Sequence, residues 1–530
     1  MSNLQEITFQ QIKEKLLHKD EIAIVDLREE HIYAQGHPLF TTNISLSRLE
    51  VEILNRIPRL TTTVVLYDDG DGRVERAYEK LVGYGYNNLY VLKGGASAWQ
   101  AQGGELFIDV NSATKAFGEW VEHYKATPSL SAEEVQAKID AKENIVILDA
   151  RRFDEYNTMS IPTGRSVPGA ELVYRAPELV KDENTTIIVN CAGRTRSIIG
   201  TQSLINAQIS HPVYALRNGT IGWILAGQKL EQGQIRSYKD DAKQYSAQYL
   251  ENAKSLADQA KVKTINYQEL IALRADLNKT TYVFDVRDES EYQTSHLANS
   301  RWIAGGQLVQ ETDHYAAVRG ARIILIDDQL IRAYMTGSWL AQMNWEVYVL
   351  DDHFAEIFTE KGEWKPRLPQ INHVRKITPQ ALHNLSKDDV MLFDVSTYMQ
   401  YKKGHIPHAQ WVLKAEILER IGSNQIPLNK TIVVTCHTGI LAAFGAEEIQ
   451  IAVGQHFEVF ALDGGNQAWA EAGYELEQSA GISLSPQIDR YKRPYEGTDN
   501  SKEAMQAYLD WEFGLVEQLK RDATHGFYVV

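Results

Sequence analysis

This sequence predicts an α/β protein of four tandem units, each a parallel sheet with helices on both faces, plus a helical linker and a helical C-terminal tail. Three observations predict it. Four short apolar stretches end in aspartate: IAIVD at Asp26, IVILD at Asp149, YVFD at Asp285 and VMLFD at Asp394. Four later stretches run from an apolar strand into a loop at Asp68, Cys191, Asp327 and Cys436, always 42 residues after the aspartate. A third element follows each loop, as VLKGGASAW, ALRNGTIGW, VLDDHFAEI and ALDGGNQAW. Equal spacing of the same pattern elements points to duplication. Alternation of strand-like and helix-like stretches points to parallel sheets covered on both faces.

Taken in order, the units span 1–107, 128–236, 264–368 and 373–478, with a linker at 237–263 and a tail at 479–530. The joint Asn111–Thr127 is short and is expected to open with a helical turn. In the linker, Tyr238, Ala242, Tyr245, Tyr249, Leu256 and Ala260 recur at helical spacing, which predicts one amphipathic helix. The tail has a turn at Glu496–Gly497, an N-cap at Asn500 or Ser501, and Met505, Leu509 and Leu519 along the helix that follows. This helix is expected to dock within its own chain; a homodimer contact is the alternative. Gly94–Gly95 and Gly464–Gly465 suit tight strand-to-helix turns, and Trp99, Trp223 and Trp469 are read as core.

Apolar residues make up 44% of the 530, enough for ordinary globular cores. The net charge of −16 argues against nucleic acid or an anionic membrane as partner. No uncharged run reaches the roughly 20 residues that a membrane helix needs. The beginning, MSNLQEITFQQIKEK, lacks the apolar core of a signal peptide. Two cysteines in the whole chain suit a reducing compartment. The expectation is a cytoplasmic protein.

The chemistry concentrates in Thr185–Gly200, TTIIVNCAGRTRSIIG. A strand through Ile187, Ile188 and Val189 ends at Cys191. Ala192, Gly193, Arg194 and Thr195 form the loop, and Arg196 and Ser197 open a helix. Ligands of open α/β sheets bind beyond the carboxyl ends of strands. Loop amides and a helix N-terminus favour negative charge there. The pattern therefore predicts a thiol of lowered pKa, since the thiolate is the nucleophile. Loop residues 192–197 are the expected substrate contacts, with Arg194 and Arg196 as the cations. Asp149 and Arg151 are expected to support the loop, and Glu171, Tyr174 and Arg175 to line the pocket mouth.

The pattern D-x-R…E-Y, then strand, cysteine loop and helix, then L-x-G-G-x-x-A-W resembles the rhodanese homology domain. Asp149, Arg151, Glu155, Tyr156, Cys191, Asn218, Gly219 and Trp223 carry it in the second unit. Asp394, Gly404, His405, Ile406, Pro407, Cys436, Gly464, Gly465 and Trp469 carry it in the fourth. The whole chain resembles four-repeat rhodanese-related sulfurtransferases, a likeness that implies a catalytic cysteine in the second repeat. It implies a ping-pong reaction: sulfane sulfur passes from thiosulfate or a similar anion to the cysteine, then to a thiol or cyanide. No cofactor or metal is implied.

Asp68 and Asp327 stand where the first and third units would have cysteine, and a carboxylate forms no persulfide. Those units are read as scaffold, and the acidic turn Asp68, Asp69 and Asp71 as a surface turn rather than a metal site. Cys436 is the second candidate nucleophile, although its loop CHTGILA lacks arginine. Two rivals stand beside the sulfurtransferase. Cysteine phosphatases and arsenate reductases need C-x5-R, but Ser197 and Ala442 occupy that spacing. A sulfur carrier, sensor or scaffold would load sulfur without turnover.

Overall fold

The computed structural model describes residues 4–238, 247–372, 374–423, 430–454 and 457–530. Each of the first three units holds a five-stranded parallel sheet in the order first–fifth–fourth–second–third; the fourth unit adds a sixth strand, Ile482–Ser483, at one edge. The second and fourth strands of each unit are mostly apolar because helices cover both faces. Asp26 pairs in register with Tyr67, Asp149 with Asn190, Asp285 with Ile326 and Asp394 with Thr435. The constant interval in the sequence is thus a constant register, and it places each loop one residue beyond the strand pair. Trp99, Trp223 and Trp469 are buried.

The joint after the first unit is more than a helical turn. Ser112–Lys125 is a full helix of 14 residues, buried from Ser112 through Glu119. It packs on the helix Thr195–Asn206 that follows the Cys191 loop. Its mixed composition hides it from periodicity, because it is enclosed on most sides and needs no polar face. The linker differs as well. Its described helix is Ala247–Gln259, Lys263 already begins a strand of the third unit, and Tyr238 lies outside the helix. The expected positions Ala242 and Tyr245 lie outside the described residues.

The tail forms two helices, Lys502–Phe513 and Leu515–Asp522, and Ser501 caps the first by accepting from the Ala504 N–H at 3.1 Å. It docks within the chain. Met505, Tyr508 and Leu509 cluster with Ile221 of the second unit. Phe527 packs edge-on against Phe117, with ring centres 5.3 Å apart. The Tyr528 N–H reaches the Gln342 carbonyl of the third unit at 3.1 Å. Among the described residues no helix is long and apolar enough to cross a membrane.

Candidate active site

Strand Thr186–Asn190 carries Cys191 to the carboxyl edge of the sheet, and helix Thr195–Asn206 leaves from there. The next turn shapes the loop. Thr220 N–H donates to the Cys191 carbonyl at 2.9 Å and Ile221 N–H to the Ala192 carbonyl at 3.0 Å. In a trans peptide the N–H points opposite the C=O, so holding these two carbonyls turns the Ala192 and Gly193 amides the other way. Gly219 makes the approach. Its φ is +55°, and a Cβ there would meet the Cys191 carbonyl oxygen at 2.4 Å. The thiol donates to the Ser197 hydroxyl at 3.4 Å, and that hydroxyl donates to the Arg194 carbonyl.

The other three loops show what this geometry holds. In the first unit, Asp68 accepts the Gly70 N–H at 2.8 Å and the Val74 N–H at 3.0 Å. In the third, Asp327 accepts the Arg332 N–H at 2.8 Å and the Ala333 N–H at 3.3 Å. In the fourth, Cys436 Sγ accepts the Ala442 N–H at 3.4 Å. Each side chain meets an amide six residues ahead, and in two units it is an anion. The acidic turn of the first unit therefore satisfies Asp68 with main-chain donors. Among the described residues no group of three metal-ligating side chains occurs.

The two arginines have different places. Arg194 is buried and turned away from the sulfur: it pairs with Glu119 at 2.7 Å, with Glu122, and with the Asn218 side chain at 3.0 Å. The connector helix thus supplies carboxylates that absorb the charge expected to meet the substrate. The charge of Arg196 acts on the sulfur. A two-pronged pair with Glu155, at 2.7 and 2.8 Å, holds its guanidinium. Burial opposes ionisation of Glu155, yet Arg196 brings it down to about 2.

The thiol itself departs from expectation. Cys191 is 1% exposed, and burial pushes it above the ordinary thiol value; Arg196 and Ser197 pull it down, while Glu512 pushes it further up. The lowered pKa anticipated from the loop is overridden by burial, with Glu512 of the tail adding to the shift. Cys436, 4% exposed, is also pushed up by burial, eased by amides of its own loop.

Asp149 and Arg151 form a buried pair, with Asn190 donating to Asp149 at 2.7 Å and Arg151 to the Met159 carbonyl at 2.6 Å. They brace the strand ends and make no contact with the thiol. The same pair recurs as Asp26–Arg28 and Asp285–Arg287. Of the three residues expected at the pocket mouth, Glu171, Tyr174 and Arg175, Glu171 is buried and pairs with Arg332 of the third unit at 3.0 Å. Sequence reasoning missed Glu119, Glu512, Tyr495 and Tyr508. Their signal was limited to single polar or aromatic residues in segments far from the loop. It also missed the arginine five residues after the loop residue, shared by Arg73, Arg196 and Arg332, which aligning the four loops would have revealed.

A family model described as the rhodanese-like domain matches residues 8–102, 131–226, 266–360 and 378–472. The chain belongs to the rhodanese family. A solved structure of thiosulfate sulfurtransferase from Pseudomonas aeruginosa is similar to this four-domain rhodanese protein over 99% of this chain and 100% of its own. The two are 50% identical, with a TM-score of 0.95. Thiosulfate sulfurtransferase GlpE of Pseudoalteromonas translucida is 32% identical over 96 residues, 18% of this chain and 86% of that protein. YrkF of Bacillus subtilis, whose name proposes a sulfur carrier, is 29% identical over 119 residues, 20% of this chain; the chain spans 61% of that relative's length.

Proposed function

We propose that the protein is a thiosulfate sulfurtransferase working through a persulfide on Cys191. The Cys191 thiolate attacks the sulfane sulfur of thiosulfate or a similar anionic donor. The new S–S bond forms as the donor's S–S bond breaks, and sulfite leaves with the electron pair. A thiol or cyanide then attacks the outer sulfur, and Cys191 departs as thiolate. No cofactor or metal enters this reading.

One observation carries it. In the third unit Arg332 donates from Nε and Nη2 to Asp327 Oδ1 at 3.0 and 2.8 Å, and Glu291 holds the same guanidinium. Arg196, Cys191 and Glu155 occupy the corresponding positions in the second unit. The sister loop thus binds an anion at the cysteine's place with main-chain amides and this arginine. A persulfide anion on Cys191 is served by the same groups. The likeness to thiosulfate sulfurtransferases supports the donor, and two free cysteines suit a cytoplasmic setting.

Sulfur transfer from thiosulfate to cyanide tests this. The wild type and Cys436→Ser should turn over, and Cys191→Ser should not. Loss only in Cys436→Ser would move the site to the fourth unit. The covered Cys191 favours a second reading, a sulfur carrier, which would load one sulfur without turnover. Cys191-dependent hydrolysis of p-nitrophenyl phosphate would favour a phosphatase.

A further inference from the structure

Cys191 is buried, and Glu512 of the tail is among the charges that act on it. The tail lies across the loop at Gly193. A Cβ on Gly193 would fall 3.1 Å from Tyr508 Cε1 and 3.4 Å from Glu512 Oε2. Tyr508 donates to Glu512 Oε1 at 2.7 Å, while Oε2, fully enclosed, has no hydrogen-bond partner. Tyr495 stacks edge-on against Tyr508, with ring centres 5.3 Å apart, and Lys115 lies 5.4 Å from the centre of the Tyr495 ring. The layer over Gly193 is therefore largely aromatic.

Beside it opens a cavity of about 740 Å³ between the second unit, the fourth unit and the tail. Eight cations, among them Arg196, Lys402 and Lys403, line it with six carboxylates, among them Glu155 and Glu496, and Tyr495 closes one side. Arg490 and Arg493 pair with Glu496, whereas Lys402 and Lys403 are exposed and, among the described residues, lie within no ion pair; the charge of Lys402 acts on Asp499. Arg196 is common to the cavity wall and the charges that act on Cys191. In a chain of net charge −16, a cavity whose lining has more cations than carboxylates is suited to draw in anions.

We propose that the tail segment Tyr495–Phe513 is a movable wall of the Cys191 site, and that an anionic sulfur donor enters through the adjoining cationic cavity when this wall lifts from Gly193. The choice of donor rests on the sulfurtransferase reading; the closure does not. Tyr508 and Glu512 are positioning residues that seal the loop. Leu509, buried with Ile221 and Met505, is the anchor. The fourth unit then has a task besides its own cysteine, since Lys402 and Lys403 furnish the entrance.

Alkylation tests this without needing turnover. Full-length protein is treated with neutral iodoacetamide or anionic iodoacetate, and labelling of the Cys191 and Cys436 peptides is followed by mass spectrometry. Leu509→Ala should label Cys191 at least about tenfold faster than wild type, with Cys436 unchanged. If Leu509→Ala also exposes Cys436 by unfolding, Gly193→Ala replaces it, pressing on the Tyr508 ring without emptying the core. The Lys402→Glu, Lys403→Glu double variant should slow iodoacetate at Cys191 at least about threefold and leave iodoacetamide unchanged. Equal Cys191 labelling in wild type and both tail-loosening variants overturns the wall. An unchanged ratio of the two reagents in the double variant overturns the entrance. Failure of the sulfurtransferase reading alone would appear elsewhere, as absent persulfide with this labelling pattern intact.

Discussion

Arg332 grips Asp327 in the third unit with two guanidinium nitrogens at 2.8 and 3.0 Å, where the second unit has Arg196 and Cys191. The carboxylate fills the cradle from within, so this loop has no room for a substrate anion. Both partners are fully buried. Asp327→Ala leaves Arg332 paired with Glu171 and Glu291 but strips the Arg332 and Ala333 amides of their acceptor, so stability should fall by about 1–3 kcal/mol. Urea unfolding measures the loss.

The two arginines of the Cys191 loop should separate in kinetics. Arg194→Ala leaves Glu119 buried and unpaired, so stability should fall by about 3–5 kcal/mol. Arg196→Lys loses the two-pronged grip on Glu155 and misplaces the cation at the sulfur. It should fold, and kcat/KM for thiosulfate should drop at least about tenfold. Unfolding curves and steady-state rates for the two variants check the separation.

Gly219→Ala tests the loop's shape. Its φ of +55° and the 2.4 Å approach to the Cys191 carbonyl leave no room for a methyl group. The variant should be destabilised by about 1–3 kcal/mol, and the amides at Ala192 and Gly193 should turn with the displaced carbonyls. Turnover should fall more than in Gly227→Ala, where nothing lies within 4 Å of the new methyl and only the positive φ is strained.

Glu512 gives a pH dependence with a definite sign. Burial and then Glu119 raise its carboxyl to about 8, against the opposing charges of Lys115 and Arg194 and the Tyr508 hydrogen bond. The folded state thus holds a proton that the unfolded chain releases near the usual carboxylate value. Stability from this group is lost as pH rises from about 5 to 8. Relative to wild type, Glu512→Gln should gain on the order of 1–4 kcal/mol across that window. Urea titrations at pH 5 and pH 8 read it.

Much of this was legible in the chain. The interval from Asp149 to Cys191 fixed the register of the central strands, because a strand pair of constant length admits one alignment. Cys191, Gly219 and Trp223 announced the loop and its neighbouring turn by type and spacing. The partners of Arg194 were not legible, since Glu119 lies 75 residues away on a helix enclosed by other units. The thiol's raised pKa was hidden for the same reason: Glu512 and Tyr508 reach the loop from the far end of the chain. Local sequence reports how a loop is built; what covers it depends on contacts between distant segments.

The central claim is that Cys191 carries the transferred sulfur. Incubation with thiosulfate, then a mass spectrum of the Cys191 peptide under non-reducing conditions, tests it directly. The account predicts a gain of one sulfur atom on that peptide, removed again by cyanide. Turnover with Cys191 unmodified, or sulfur found on Cys436 alone, would contradict it.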